Sequence, residues 1–227
     1  MPISKASFQF LSALRDNNNR EWFNERKSEF QKHYEEVKDF LEEVKGHMQE
    51  HDHIDDHKCR VYRIYRDVRF SKDKTPYKSN WSGSLSRATK ALRGGYFFSL
   101  SPGDRSFIAG GFWGPNKEDI LHIRKQISQD PEPLREVIGS GEFKGNFGQI
   151  VGEQLKTAPK GFDKEDPAID LLRYKQFILQ RNFTDSEVLK PDFARTVSKG
   201  FKDMRPFFDY MTDILTTDLN GMSLVDQ

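Results

Sequence analysis

Apolar positions recur in threes and fours near both ends of the chain and in twos through its middle. That change of period separates helical ends from a strand-bearing centre. Phe30, Tyr34, Val37, Leu41, Val44 and Met48 mark one face of a long amphipathic helix. Its other face is acidic, with Glu35, Glu36, Glu42 and Glu43. A shorter helix over Ser7 to Asp16 precedes it, with Phe8, Leu11 and Leu14 on one side. Asn17-Asn18-Asn19 ends that helix, because Asn side chains bond their own backbone and favour turns. In the centre, Trp81, Gly83 and Leu85 alternate with Ser82, Ser84 and Ser86, the period of a half-buried strand. Tyr96 to Leu100 and Phe107 to Trp113 follow as further strands around the turn Pro102-Gly103-Asp104. Asn116 with Asp119 reads as a cap opening a helix through Ile120, Ile123 and Ile127, which Pro131-Glu132-Pro133 closes. The Gly-punctuated stretch from Gly139 to Gly148 fits no single element, and Ile169 to Gln180 fits strand or helix. From Phe193 the helical stripe returns through Val197, Phe201, Met204, Phe208, Met211 and Leu215, and Pro206 should kink or divide it. The expectation is an α+β fold: an antiparallel meander sheet packed by N-terminal and C-terminal helices, in a single domain over residues 1–227.

Composition changes this picture little. With 35% hydrophobic and 31% charged residues the chain is polar, but 19 Phe, 7 Tyr and 3 Trp supply the apolar area for a core. No run of about 18 apolar residues and no secretory leader pattern appears, so a soluble, cytoplasmic protein without a membrane partner is expected. Cys59 is the only cysteine, which excludes an internal disulfide and a cysteine-based zinc site. His51-Asp52-His53-Ile54-Asp55-Asp56-His57 holds metal-binding residue types but reads as a solvated connector, so no metal site is assigned. No motif calls for a cofactor.

Charge changes it more. The net charge is +1, which excludes attraction to nucleic acid through the protein's overall field. Yet Lys58 to Lys78 contains eight basic residues (Lys58, Arg60, Arg63, Arg66, Arg69, Lys72, Lys74, Lys78) against Asp67 and Asp73. The excess must face water, meet acidic side chains from elsewhere, or meet an anionic ligand. Guanidinium forks suit phosphate and carboxylate because two parallel N–H donors match two oxygens. Tyr62, Tyr65, Phe70 and Tyr77 lie between the bases and offer stacking surface for a ring. The pattern leaves helix and strand both open for this segment.

The residues Arg63-x-x-Arg66-Asp67-x-Arg69-Phe70-x-x-Asp73-Lys74-x-x-Tyr77 resemble the signature of domain-of-unknown-function family 2461, a bacterial family with fungal relatives. Asn18-Asn19-Arg20-Glu21-Trp22-Phe23 and Gly110-Gly111-Phe112-Trp113-Gly114-Pro115 resemble further blocks of it. The resemblance implies that the segment is shared across the family; it implies no reaction.

Three functions follow. In the first, Arg63, Arg66, Arg69, Lys74 and Lys78 bind a phosphorylated or otherwise anionic small molecule. Asp67 orients the arginines, Tyr77 donates a hydrogen bond or moves a proton, and Asp67 or Asp73 serves as base. Nearby cations would weaken either carboxylate as a base. In the second, the same bases bind nucleic acid without catalysis. In the third, the arginines pair internally, with Glu21, Glu25, Glu29 and the acidic helix face as candidates, and the role is structural or partner-binding. Gly110-Gly111 before a helix start suggests close packing more than an anion site. Trp22 and Trp113 read as core or pocket wall, and His122 as a surface histidine.

Overall fold

A computed structural model of the chain describes residues 3–89 and 91–225. Among these, ten helices and five strands occur, and the strands form one open antiparallel sheet in the order β1-β2-β3-β4-β5, flanked by helices. The α+β meander read from the pattern is the observed architecture. No helix among the described residues is long and apolar enough to cross a membrane.

The elements begin and end where local chemistry requires. α1 (Lys5–Asp16) opens on Ser4, whose hydroxyl accepts from the Ser7 amide. Asn17 closes it, with both its backbone and side-chain N–H groups on the Ala13 carbonyl. Asn19 caps α2 (Arg20–Glu25) by accepting from the Trp22 amide at 2.9 Å. α3 (Lys27–Gln49) carries the long stripe, and its acidic side pairs along the helix, Glu35 with Lys38 and Glu42 with Lys45. β1 (Arg60–Val61), β2 (Trp81–Ser86), β3 (Gly95–Leu100) and β4 (Ser106–Phe112) follow. α4 (Lys117–Gln129) opens on Asn116, which accepts from the Asp119 amide at 2.7 Å. The Gly-punctuated stretch resolves into α5 (Glu132–Gly139) and α6 (Gly141–Phe147), with Ser140 capping the second. Residues 169–180 contain both elements their pattern fitted: α7 (Ile169–Leu172) and then β5 (Phe177–Phe183). α8 (Asp185–Val188) opens on a Thr184–Glu187 capping box. The last stripe is divided into α9 (Phe193–Asp203) and α10 (Arg205–Thr216), with Pro206 in the first turn of α10, where its missing N–H costs no helical bond.

The chain packs as two compact units. The first comprises residues 1–86, 97–108 and 182–199. α3 lies on β1 and β2 there, and Phe40 meets Phe98 edge-on and Phe193 face-on, with centroids 5.6 and 5.7 Å away. Trp81 packs against Phe10 and Phe30, and its buried Nε1–H donates to Ser7 Oγ at 2.8 Å. β2 passes so close to the Phe98 ring that a Cβ on Gly83 would lie 2.6 Å from it. His33, which the stripe did not flag, is also buried, between Phe10 and the carboxylates of Glu29 and Glu36.

The second unit comprises residues 87–96, 109–181 and 200–227. Phe208 is its aromatic centre, in contact with Tyr96, Phe112 and Phe207, and the buried Arg87 guanidinium lies 5.7 Å above its ring. α10 packs on α4 and α5. A Cβ on Gly110 would meet Met204 Sδ at 2.5 Å, so that glycine serves close packing.

Candidate functional site

The basic segment forms neither the long helix nor the long strand its sequence allowed. After β1 pairs with β2 (Arg60 opposite Ser84, Val61 opposite Gly83), the chain turns back on itself as a short hairpin. Tyr65 bridges Tyr77, the Arg66 amide donates to the Pro76 carbonyl at 2.9 Å, and the Lys78 amide donates to Ile64 at 2.8 Å. The loop over residues 67–75 lies at its end. Two side chains root the hairpin, Ile64 at 2% and Tyr77 at 4% exposure. Tyr77 stacks on Phe23 with centroids 4.0 Å apart. Asn18 clamps the Tyr77 backbone on both sides: its Nδ2 donates to the Tyr77 carbonyl at 2.9 Å, and its Oδ1 accepts from the Tyr77 amide at 3.1 Å. The Asn18–Phe23 block thus meets the basic segment in space. Sequence reasoning marked both, but read Asn18 only as part of the turn that ends the first helix and of a block resembling the family, not as a partner of Tyr77.

Within the loop, part of the basic excess is matched locally. Arg66 donates through one Nη to Asp73 Oδ2 at 2.5 Å, to the Thr75 carbonyl at 3.2 Å and to Thr75 Oγ1. Asp73 Oδ1 accepts from the Thr75 amide and hydroxyl at 2.9 and 2.8 Å. Those Thr75 hydrogen bonds, with the Arg66 contact, pull the Asp73 pKa down to about 2. Arg69 grips Asp67 with two donors, Nε at 2.9 Å and Nη at 2.7 Å, which lowers the Asp67 pKa. Lys74 Nζ donates to the Val68 carbonyl at 2.9 Å. The internal network is therefore real for Arg66 and Arg69, and it is drawn from within the segment. Of the helical carboxylates considered as partners, Glu25 pairs with Arg26, and Glu29 lies 3.9 Å from His33.

A pH prediction follows. Asp73 has a folded pKa below its unfolded one, so its contribution is present above the unfolded value and is lost as pH falls through about 2. Its carboxyl carbon resonance is expected to hold its ionised position at pH 3 and to move only near pH 2. A midpoint near the ordinary aspartate value of about 3.9 would show that the Thr75 contacts are not held in solution.

The remaining bases are arranged differently. Tyr62 donates to Ser84 Oγ at 3.1 Å, which fixes its ring. Arg60 lies 5.1 Å from the ring centroid and Lys78 Nζ 5.7 Å from it. Burial, and secondly the Arg63 charge, push the Lys78 pKa down. Arg63 is exposed. Among the described residues no carboxylate lies within 4.0 Å of Arg60, Arg63 or Lys78. Of the five cations singled out by sequence, Arg63 and Lys78 stand on the two strands of the hairpin with no carboxylate partner among the described residues, Arg66 and Arg69 are paired, and Lys74 holds backbone carbonyls. Tyr77 is packed as a core ring, and burial raises its pKa.

The other candidates resolve as packing and turn chemistry. His51 Nε2 lies 3.0 Å from Ser198 Oγ, and Asp55 binds Lys58. Among the described residues no group of three His, Cys, Asp or Glu side chains is placed to hold a metal. His122 Nε2 lies 2.8 Å from the Thr217 carbonyl, at the turn after α10. Trp22 is half-buried beneath the Arg26 guanidinium, and Trp113 is half-exposed.

Compared with known proteins, residues 6–210 match the sequence model of a family described as "Conserved hypothetical protein (DUF2461)". No curated protein and no solved structure matches the chain.

Proposed function

Because the chain belongs to that family, whose description states no activity, we propose from the site alone that the protein binds a phosphorylated or carboxylated small molecule through Arg63 and Lys78. The observation that carries the proposal is this pair of cations on the two strands of one hairpin, where the Lys78 amide donates to the Ile64 carbonyl next to Arg63, one side chain exposed and one half-buried, and neither paired with a carboxylate among the described residues. Desolvation and like charge both disfavour a protonated Lys78, and an anion seated between the two groups would offset both by pairing with the charge. Arg60 adds a third positive group over the same Tyr62 ring.

The other residues of the segment act on this reading as the frame. Arg66, Asp73 and Thr75 close the loop, Arg69 and Asp67 hold its rising limb, and Lys74 ties its carbonyls. Asp67 and Asp73 are both held ionised by their partners, which makes them weak bases, so the proposal is binding and attaches no reaction to them.

The test is isothermal titration of the protein with inorganic phosphate, pyrophosphate and citrate at low ionic strength. Wild type should bind at least one of them. Arg63→Ala should weaken that binding roughly 10- to 100-fold, the value of one charge-assisted hydrogen bond of about 1.5–3 kcal/mol, and leave the unfolding midpoint unchanged. Equal affinity in wild type and Arg63→Ala would end the proposal. Affinity for a random oligonucleotide far above that for pyrophosphate, falling steeply with salt, would move the reading to nucleic acid.

A further inference from the structure

The four aromatic residues of the basic segment have separate fates. Tyr77 is buried against Phe23, and Tyr62 is fixed to Ser84 and flanked by Arg60 and Lys78. Tyr65 is 47% exposed, with its ring 5.4 Å from that of Tyr77. Phe70 is 96% exposed. A phenylalanine so placed forgoes nearly all the burial energy its ring could supply. The loop that carries it is nonetheless tied down. Asp67 fixes Arg69, Lys74 Nζ binds the Val68 carbonyl, the Ser71 amide donates to Val68, and Arg66 with Asp73 closes the base. The Arg69 guanidinium lies 5.9 Å from the Phe70 ring centroid.

Resting on the anion reading above, we infer that the ligand is a nucleotide bearing two or more phosphates, its base stacked on Phe70 and its phosphates on Arg63, Lys78 and Arg60. Three observations combine. A flat hydrophobic ring on an anchored loop suits a flat partner and is indifferent to inorganic anions. Arg60, Arg63 and Lys78 together carry three charges that no carboxylate among the described residues meets, more than a phosphate monoester at about −1.5 to −2 balances and close to that of a diphosphate. The two features also lie on one hairpin: Arg63 and Lys78 stand on its two strands, joined by the Lys78 amide to the Ile64 carbonyl, Phe70 stands on the loop that closes it, and Asp67, which opens that loop, holds Arg69 beside Phe70.

The experiment compares adenosine diphosphate with pyrophosphate by isothermal titration against wild type, Phe70→Ala, Phe70→Trp and Arg63→Ala. Phe70 buries nothing in the fold, so its removal should leave the unfolding midpoint in place. Wild type should bind the nucleotide about tenfold or more tighter than pyrophosphate, the scale of one base–aromatic stack. Phe70→Ala should erase that difference by weakening the nucleotide alone, and Phe70→Trp should keep it. Arg63→Ala should weaken both ligands. Equal affinity of wild type for the two ligands, or an unchanged nucleotide affinity in Phe70→Ala, overturns the inference and leaves anion binding standing. If neither ligand binds, this inference falls, and the anion reading falls with it when phosphate and citrate also fail to bind.

Discussion

Phe23→Ala is expected to destabilise the protein by about 3–5 kcal/mol and to abolish anion binding at a residue that carries no charge. Phe23 is 1% exposed, and its ring is the surface on which the root of the hairpin rests. It stacks on Tyr77 at 4.0 Å and 18°, meets Tyr65 at 5.9 Å edge-on, and backs onto Phe30 at 5.1 Å. Removing the ring opens a cavity beneath Tyr77, and the atoms that line it lose their contacts because the packed rings around it cannot collapse fully. The Asn18 clamp and the Tyr65–Tyr77 bridge then hold a strand with nothing under it. Urea denaturation followed by tryptophan fluorescence tests the first part, since Trp81 packs on Phe30 in the same aromatic layer. Phe23→Leu, which keeps most of the volume, should cost about 1–2 kcal/mol and retain binding. A stability for Phe23→Ala within about 0.5 kcal/mol of wild type, the range of surface substitutions, would show that the hairpin does not depend on this ring.

The contrast with Arg63→Ala separates scaffold from site. One substitution should lose stability and binding together, the other binding alone. The same contrast divides the basic segment. The side chains of Arg66, Asp73, Thr75 and Tyr77 build the loop and its root, whereas the Lys78 amine lies against the Tyr62 ring and the Arg63 guanidinium makes no ion pair among the described residues. The residues singled out by sequence therefore need not all be ligands; a large part of them is hairpin architecture.

How much of this was legible follows from what each feature depends on. The helices α1, α3, α4 and α9–α10 were readable because their stripes and caps are local: Asn116 and Pro206 act within a turn of where they sit. The strands β2 to β4 were readable from alternation and short turns. The stretch at 169–180 stayed ambiguous because it contains a single-turn helix and then a strand, and each supplies half of either pattern. In the basic segment, like-charge counting identified the region but could not say which arginine finds a partner. Arg66 reaches Asp73 and Thr75 only because the chain reverses at 67–75, and Arg69 reaches Asp67 by folding back two residues. Asn18 was illegible for the same reason, since its partner, Tyr77, is far away in the sequence.

The largest single effect is expected at a glycine whose sequence context suggested either packing or anion binding. Gly111 has φ +140°, a region L side chains rarely adopt, and a Cβ built on it would lie 2.1 Å from the Phe177 carbonyl oxygen. The same atom would sit 3.0 Å from the Ile178 Cα, so backbone, not a movable side chain, blocks it. Gly111→Ala therefore must displace β5 or reverse its own φ, and Phe177 at the contact is fully buried. A cost of at least about 4 kcal/mol is expected, in the range reserved for overpacking combined with backbone strain. Gly114→Ala supplies the control. It also has positive φ, +55°, but nothing lies within 4 Å of its Cβ position. It should cost only about 1–2 kcal/mol, the price of a non-glycine residue in the left-handed region. Equal midpoints for the two variants in urea would show that φ strain alone governs both. A Gly111→Ala protein as stable as wild type would mean that β4 does not approach β5 this closely in solution.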